Sequence, residues 1–206
     1  MTNNNPTWLK YISEIQAIAQ NGLTYSNNDF DKERYLRLRE IACEFMANYS
    51  NTPISKIQEI FSLETGYATP KIDVRAFILQ ANKILLVKER SDALWTLPGG
   101  WAETNESASE SVIREAKEET GFNVRVIRLL ALWDKQKHDH PPKPHAYKCF
   151  FHCDILSGTA TENLEISEID FFDPEHLPPL STPRVTQKQI ERLYDLTRNQ
   201  GITHFD

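Results

Sequence analysis

The sequence predicts an α+β protein, with a small helical unit followed by a larger, strand-rich unit that also carries helices. Three observations carry that expectation. Apolar residues recur at helical spacing at Trp8, Ile12, Ile15 and Ile18-Ala19, and again at Tyr35, Leu36, Leu38, Ile41, Ala42 and Phe45-Met46. Beyond residue 70 the pattern changes to short β-branched and aromatic runs bounded by breakers. Between them, Thr65-Gly66-Tyr67-Ala68-Thr69-Pro70 reads as a boundary, so residues 1–64 and 65–206 are expected to form separate domains.

Taken in order, the two apolar stripes give two amphipathic helices, and a shorter third is expected over Ser55–Ser62. Strands follow at Ile72–Leu79 and Lys83–Val87, joined by a tight turn at Ala81-Asn82. Pro98-Gly99-Gly100 breaks the chain after an apolar run and lets a loop pass close to a ligand. From Ser107 to Thr120 the residues are good helix formers, and Gly121 stands where a helix-ending glycine belongs. Further strands are expected at Val124–Trp133, Tyr147–Leu156 and Ile169–Phe172. A last helix runs from Pro183 to Asn199, with Val185, Ile190, Leu193 and Leu196 as its apolar stripe.

Composition narrows the function classes. The formal net charge of −6 argues against broad electrostatic binding to nucleic acid or anionic membrane. No run of apolar residues is long enough to span a bilayer, and Met1-Thr2-Asn3-Asn4-Asn5-Pro6 lacks the basic and apolar regions of a signal peptide, so a cytoplasmic location is expected. Cys43, Cys149 and Cys153 are too few for a disulfide framework or a zinc knuckle, and buried thiols are expected.

The chemistry concentrates between Gly100 and Phe122. There the pattern is Gly, five residues, Glu, seven residues, Arg-Glu, an apolar residue, any residue, Glu-Glu, any residue, Gly and an apolar residue. On a helix, Glu115, Glu118 and Glu119 fall within an arc of roughly 100°, with Val112, Ile113 and Ala116 on the other side. Neighbouring carboxylates repel unless a cation neutralises them. Hard divalent ions want such oxygen donors and also bind substrate phosphates. The competing reading of an acidic run, a solvated helix face, does not account for the fixed glycines and arginine around it.

That pattern resembles the box of the Nudix hydrolases, which cleave nucleoside diphosphates linked to another moiety. The box itself covers 23 residues, and the wider similarity runs from Lys71 to the C-terminus. The resemblance implies a Nudix α/β/α sandwich with Mg²⁺, or Mn²⁺ as substitute, held by Glu115, Glu118 and Glu119, with Gly99 also among the metal-holding positions. It implies that one of these glutamates activates water, that Arg114 orients them, and that Glu106 steadies the loop and helix. Gly100 and Gly121 would serve backbone shape. A further carboxylate from outside the box is expected, with Glu165 and Glu168 as candidates and Glu168 taken as catalytic.

The helical extension, together with Leu132-Trp133-Asp134-Lys135-Gln136-Lys137-His138 and Leu177-Pro178-Pro179-Leu180-Ser181-Thr182-Pro183-Arg184, is similar to a bacterial subgroup that includes CDP-choline pyrophosphatases. This implies CDP-choline as substrate, cleaved to CMP and phosphocholine. The alternatives are ADP-ribose, an RNA end, or nucleotide sensing without cleavage. Trp133, Lys135, Lys137, His138 and Arg184 are the substrate-binding candidates, Trp133 being either a base-stacking residue or core. Lys143 and Lys148 add to the basic segment. His138, His140 and His145 are not expected to form a metal site, because Pro141, Pro142 and Pro144 break any element that would align them. The stripes of Ile12, Ile15, Leu38, Ile41 and Phe45 offer more apolar surface than a small unit covers, so a homodimer is expected.

Overall fold

The computed structural model describes residues 6–140, 145–198 and 201–206, so Met1–Asn5, Pro141, Pro142, Lys143, Pro144 and Asn199, which enter the sequence expectations, lie outside the described residues. The chain divides into two compact units, residues 1–69 and 70–206.

The first unit is three helices: α1 (Thr7–Tyr25), α2 (Asp29–Ser50) and α3 (Ile54–Leu63). Asn28 starts α2 by accepting the Phe30 N–H at 2.9 Å, which satisfies one of the amides a helix start leaves bare. Leu9, Ile12, Ala42, Cys43, Met46, Ile57 and Phe61 form its core, with Trp8 and Ile15 packed against them. Ile12 is therefore spent inside the unit and is not available to a partner. Ile18, Leu36, Phe45 and Ile60 remain exposed.

The second unit contains β1 (Lys71–Gln80), β2 (Lys83–Glu89), β3 (Trp95–Thr96), α4 (Ala108–Thr120), β4 (Phe122–Asp134), β5 (Ala146–Gly158), β6 (Ile166–Phe172), α5 (Gln187–Arg198) and β7 (His204–Phe205). Ala81 and Asn82 both adopt positive φ, 49° and 64°, the hairpin-turn geometry that suits the twist of the flanking strands. The strand order is β3-β2-β1-β5-β4-β7, with β6 on β2; β1 lies parallel to β5 and antiparallel to β2. Helix α4 covers one sheet face through Val74, Ala76, Ile78, Leu85, Val112, Ala116 and Cys153. Helix α5 covers the other through Phe77, Leu86, Leu130, Phe150, Ile190 and Leu193. The result is an α/β/α sandwich.

Two details differ from the sequence expectation. β3 and β7 are two residues each, too short to show alternation. Helix α5 begins at Gln187 rather than Pro183, because the preceding residues turn: the Arg184 and Val185 amides donate to the Ser181 carbonyl at 2.8 and 2.9 Å.

One feature of the sheet positions the site. β1 pairs with β2 only at its C-terminal end, through Leu79 and Gln80. Alongside its N-terminal half runs the segment around Pro98–Ala102 instead. The Val74 amide donates to the Gly100 carbonyl at 2.8 Å, Ala76 to Pro98 at 2.8 Å, and Ala102 to Ile72 at 2.9 Å. The glycine loop is thus fixed to the sheet at three points.

Candidate active site

Helix α4 carries the box carboxylates, and its ends are set by local chemistry. Ser107 and Glu110 form a capping box: Glu110 accepts the Ser107 N–H at 2.8 Å and the Ser107 hydroxyl accepts the Glu110 N–H at 3.3 Å. Gly121 ends the helix at φ 78°, a left-handed conformation that glycine adopts freely. Within the helix, Arg114 acts as a hub. Its Nε donates to Glu106 at 3.0 Å, and its Nη1 donates to Glu115 and to Glu118, each at 3.0 Å. These bonds hold the guanidinium protonated, Glu106 being the strongest partner.

Glu119 behaves differently from Glu118. Its residue is only 7 % exposed, and its Oε2 accepts the Gly99 N–H at 2.7 Å. Burial pushes its carboxyl up to about 8, against the pull of Arg75 and the Gly99 amide. Glu115 is raised as well, again by burial. The two glycines make this packing possible. At Gly99, φ is 140° and a Cβ would collide with the Val74 carbonyl; at Gly100 a Cβ would lie 2.9 Å from Glu115 Oε2.

Sequence reasoning missed a buried polar group beneath the glycine loop. Arg75 forms a two-pronged pair with Asp73, Nε to Oδ1 at 2.9 Å and Nη2 to Oδ2 at 3.1 Å, and its Nη1 donates to the Leu97 carbonyl at 3.1 Å. Lys148 donates to the same Asp73 Oδ1 at 2.8 Å. Burial opposes all three charges, yet Arg75 and Lys148 together hold Asp73 below the usual carboxylate range. Lys148 is lowered to about 8 by burial. The available signal was alternation: Asp73 and Arg75, two apart on a strand, share a face with Phe77, an unusual place for charges in a buried strand.

The other sequence candidates fall in separate places. Trp133 is 1 % exposed, packed between Phe150 and His138, with its Nε1 donating to His204 at 2.7 Å. That assigns it to the core and leaves no ring face for a nucleobase. Lys135 is buried, and Lys137 is exposed. His138 meets Asp206 at 2.9 Å, His140 lies between the Thr182 carbonyl and Gln189, and His145 meets Asp134 at 3.2 Å, so the three imidazoles have three different sets of partners. Arg184 binds Glu89 and Asp92, each at 2.9 Å, and Ser181 at 2.8 Å, tying the end of β2 to the loop before α5. Glu168 pairs with Lys88 at 2.7 Å across β2 and β6 and remains half exposed, while the Glu165 carbonyl accepts the Arg90 amide at 2.8 Å.

Among the described residues no three acidic, imidazole or thiol groups already converge on a metal position. The hydrogen bonds account for this: Arg114 draws Glu115 and Glu118 to itself while Glu119 turns to Gly99. The donor set still fits a hard divalent cation. It consists of oxygen donors, and two of its carboxyls carry a burial penalty that a cation would remove.

Residues 69–193 match the family model of the NUDIX domain. The chain belongs to the Nudix family. Residues 6–61 match a second model, described as a UDP-X-like, N-terminal oligomerisation domain. The chain is 44 % identical over 193 residues, 93 % of each sequence, to a putative ADP-ribose pyrophosphatase, YjhB, of Bacillus subtilis. It is 35 % identical over 118 residues, 56 % of this chain and 69 % of the relative, to an ADP-ribose pyrophosphatase of Methanocaldococcus jannaschii. A solved structure of UDP-X diphosphatase aligns over all of both chains with TM-score 0.65 and 36 % identity. A second, an ADP-ribose pyrophosphatase from Streptococcus suis, covers 67 % of this chain and all of its own with TM-score 0.62 and 40 % identity. This Nudix protein is accordingly a hydrolase of nucleoside-diphosphate-linked compounds, and Nudix hydrolases generally use divalent cations. Among the described residues no helix is long and apolar enough to cross a membrane.

Proposed function

We propose that this Nudix hydrolase cleaves the pyrophosphate bond of ADP-ribose, releasing AMP and ribose 5-phosphate, with Glu115, Glu118 and Glu119 holding Mg²⁺ beside Gly99. The observation that carries the site is Glu119, buried on the Gly99 amide where its charge lacks full compensation. Mn²⁺ would serve in place of Mg²⁺. When bound, the cation supplies charge neutralisation on the diphosphate and acidifies water. The chain's own residues do the rest: Arg114 sets the helix carboxylates, Asp73 and Arg75 fix the Leu97 carbonyl and so the glycine loop, and the exposed Glu118 takes the proton from water. The water oxygen bonds to one phosphorus as the bridging P–O bond breaks, and the second phosphate leaves without a covalent enzyme intermediate.

The substrate order reverses that set from sequence alone. ADP-ribose moves ahead because the relative matched over 93 % of both sequences is a putative ADP-ribose pyrophosphatase. CDP-choline remains second on the strength of the helical extension, which also matches a UDP-X-like model. Incubating the protein with Mg²⁺ and ADP-ribose, CDP-choline or a UDP-sugar, and reading released monophosphate, tests the order. AMP should form fastest by kcat/KM. Faster CMP release would return CDP-choline to first place, and no monophosphate from any of the three would defeat the pyrophosphatase reading.

The protein is further inferred to be a homodimer through the N-terminal unit, whose exposed Ile18, Leu36, Phe45 and Ile60 form apolar surface. Light scattering should give about twice the 23.8 kDa chain mass, and a single-chain mass at micromolar concentration would contradict it.

A further inference from the structure

Trp101 is the residue after the glycine pair, and it stands out among the tryptophans. Trp95 and Trp133 are buried, and Trp8 stacks on Tyr49, whereas Trp101 is 44 % exposed. Its backbone is fixed, because Trp101 bridges to Asp73 on β1 and the next amide, of Ala102, donates to Ile72. The indole lines an open cavity of about 370 Å³ together with Lys71, Ile72, Ala102, Glu103 and Thr104. That volume is within the range of small-molecule sites. Glu106, which accepts from Arg114 Nε at 3.0 Å, also lines the cavity and places it beside the box.

We infer that Trp101 is a specificity-determining residue that stacks the nucleobase of the substrate in this cavity. The inference rests on the proposed pyrophosphatase reading, since a diphosphate held at α4 brings one end of the substrate to Trp101. Of the parts of ADP-ribose, the base is the one with a flat aromatic face to match the exposed indole. Lys71 Nζ lies 6.0 Å from the indole centroid, and Glu103 and Glu106 also line the cavity, so charges of both signs surround the ring. A neutral, planar base stacks on the ring, with Ile72 and Ala102 as apolar neighbours. A sugar phosphate has no aromatic face to place there.

The test reads binding apart from turnover. AMP, which is not cleaved, should quench the tryptophan fluorescence of the wild-type protein, and ribose 5-phosphate should not. In Trp101→Phe the AMP-dependent quench should disappear while AMP still binds by equilibrium dialysis. With ADP-ribose as substrate, Trp101→Ala should raise KM about tenfold with kcat within about threefold, and Trp101→Phe should restore most of the loss. A quench that persists in Trp101→Phe, or a KM unchanged in Trp101→Ala, overturns the inference. So does a change of oligomeric mass in Trp101→Ala without a change in AMP affinity, which would mean that protein covers the indole. AMP binding through Trp101 in a protein that cleaves none of the three compounds would uphold the stacking site and reject the pyrophosphatase reading. Normal turnover with AMP binding indifferent to Trp101 would do the reverse.

Discussion

The acidic helix α4 and the basic segment from Trp133 to Lys148 look equally rich in chemistry along the chain, and the fold treats them in opposite ways. In α4 the spacing of Glu115, Glu118 and Glu119 becomes geometry directly, because a capped helix converts sequence intervals into one face. In the basic segment the described side chains scatter. Lys148 is buried on Asp73, His140 is buried beside Gln189, His138 stacks on Trp133, and Lys137 is exposed. Charge density on a regular element reads as a site, whereas the same density on a strand end and loop reads as several unrelated jobs.

The sharpest way to break this contrast is at Glu119. Glu119→Gln keeps the shape and the Gly99 contact but removes the charge, and kcat for ADP-ribose should fall by about 10²-fold or more with the fold intact by circular dichroism. Wild-type turnover would remove Glu119 from the site. At the buried end of the contrast, Asp73→Asn strands Arg75 and Lys148 and should cost about 3–5 kcal/mol in a denaturant titration. A loss under about 1 kcal/mol would show that the pair is solvated rather than sealed. Trp133→Ala should cost a similar 3–5 kcal/mol through the cavity it opens, and Trp133→Phe should leave the KM for ADP-ribose unchanged. A KM rise in Trp133→Phe without loss of stability would return that residue to substrate binding. The smallest effect is expected at exposed Lys137, where Ala should change KM by less than about threefold. A larger rise would mean the basic loop does hold phosphate.

The legible parts share a physical basis. Helices α1 to α4 announce themselves through helical spacing or runs of helix formers, and the five longer strands through β-branched and aromatic runs; Ser107, Gly121 and the Ala81-Asn82 turn mark their ends. β3 and β7 are too short to carry a period, and partners distant in sequence hold them; the Trp95 amide, for example, donates to the Pro179 carbonyl. Arg184, a substrate-binding candidate in the stretch that resembles the subgroup, is held by Glu89 and Asp92, which only folding brings to it. Asp73 and Arg75 were visible as residues but not as a pair with Lys148, which comes from a strand seventy-five positions away.

The central claim, that Glu119 is a buried carboxylate awaiting a cation, is tested most directly by the melting temperature with and without Mg²⁺ at pH 6 and pH 8. The folded carboxyl titrates near 8, against an ordinary 4.5. A raised acid favours the folded state while both forms are protonated, and that advantage is lost as pH rises from about 4.5 through about 8. Mg²⁺ binds the ionised carboxylate, so it should raise the wild-type Tm more at pH 8 than at pH 6, and Glu119→Gln should lose most of that gain. An equal gain in Glu119→Gln, or a wild-type gain that is larger at pH 6, would contradict the assignment.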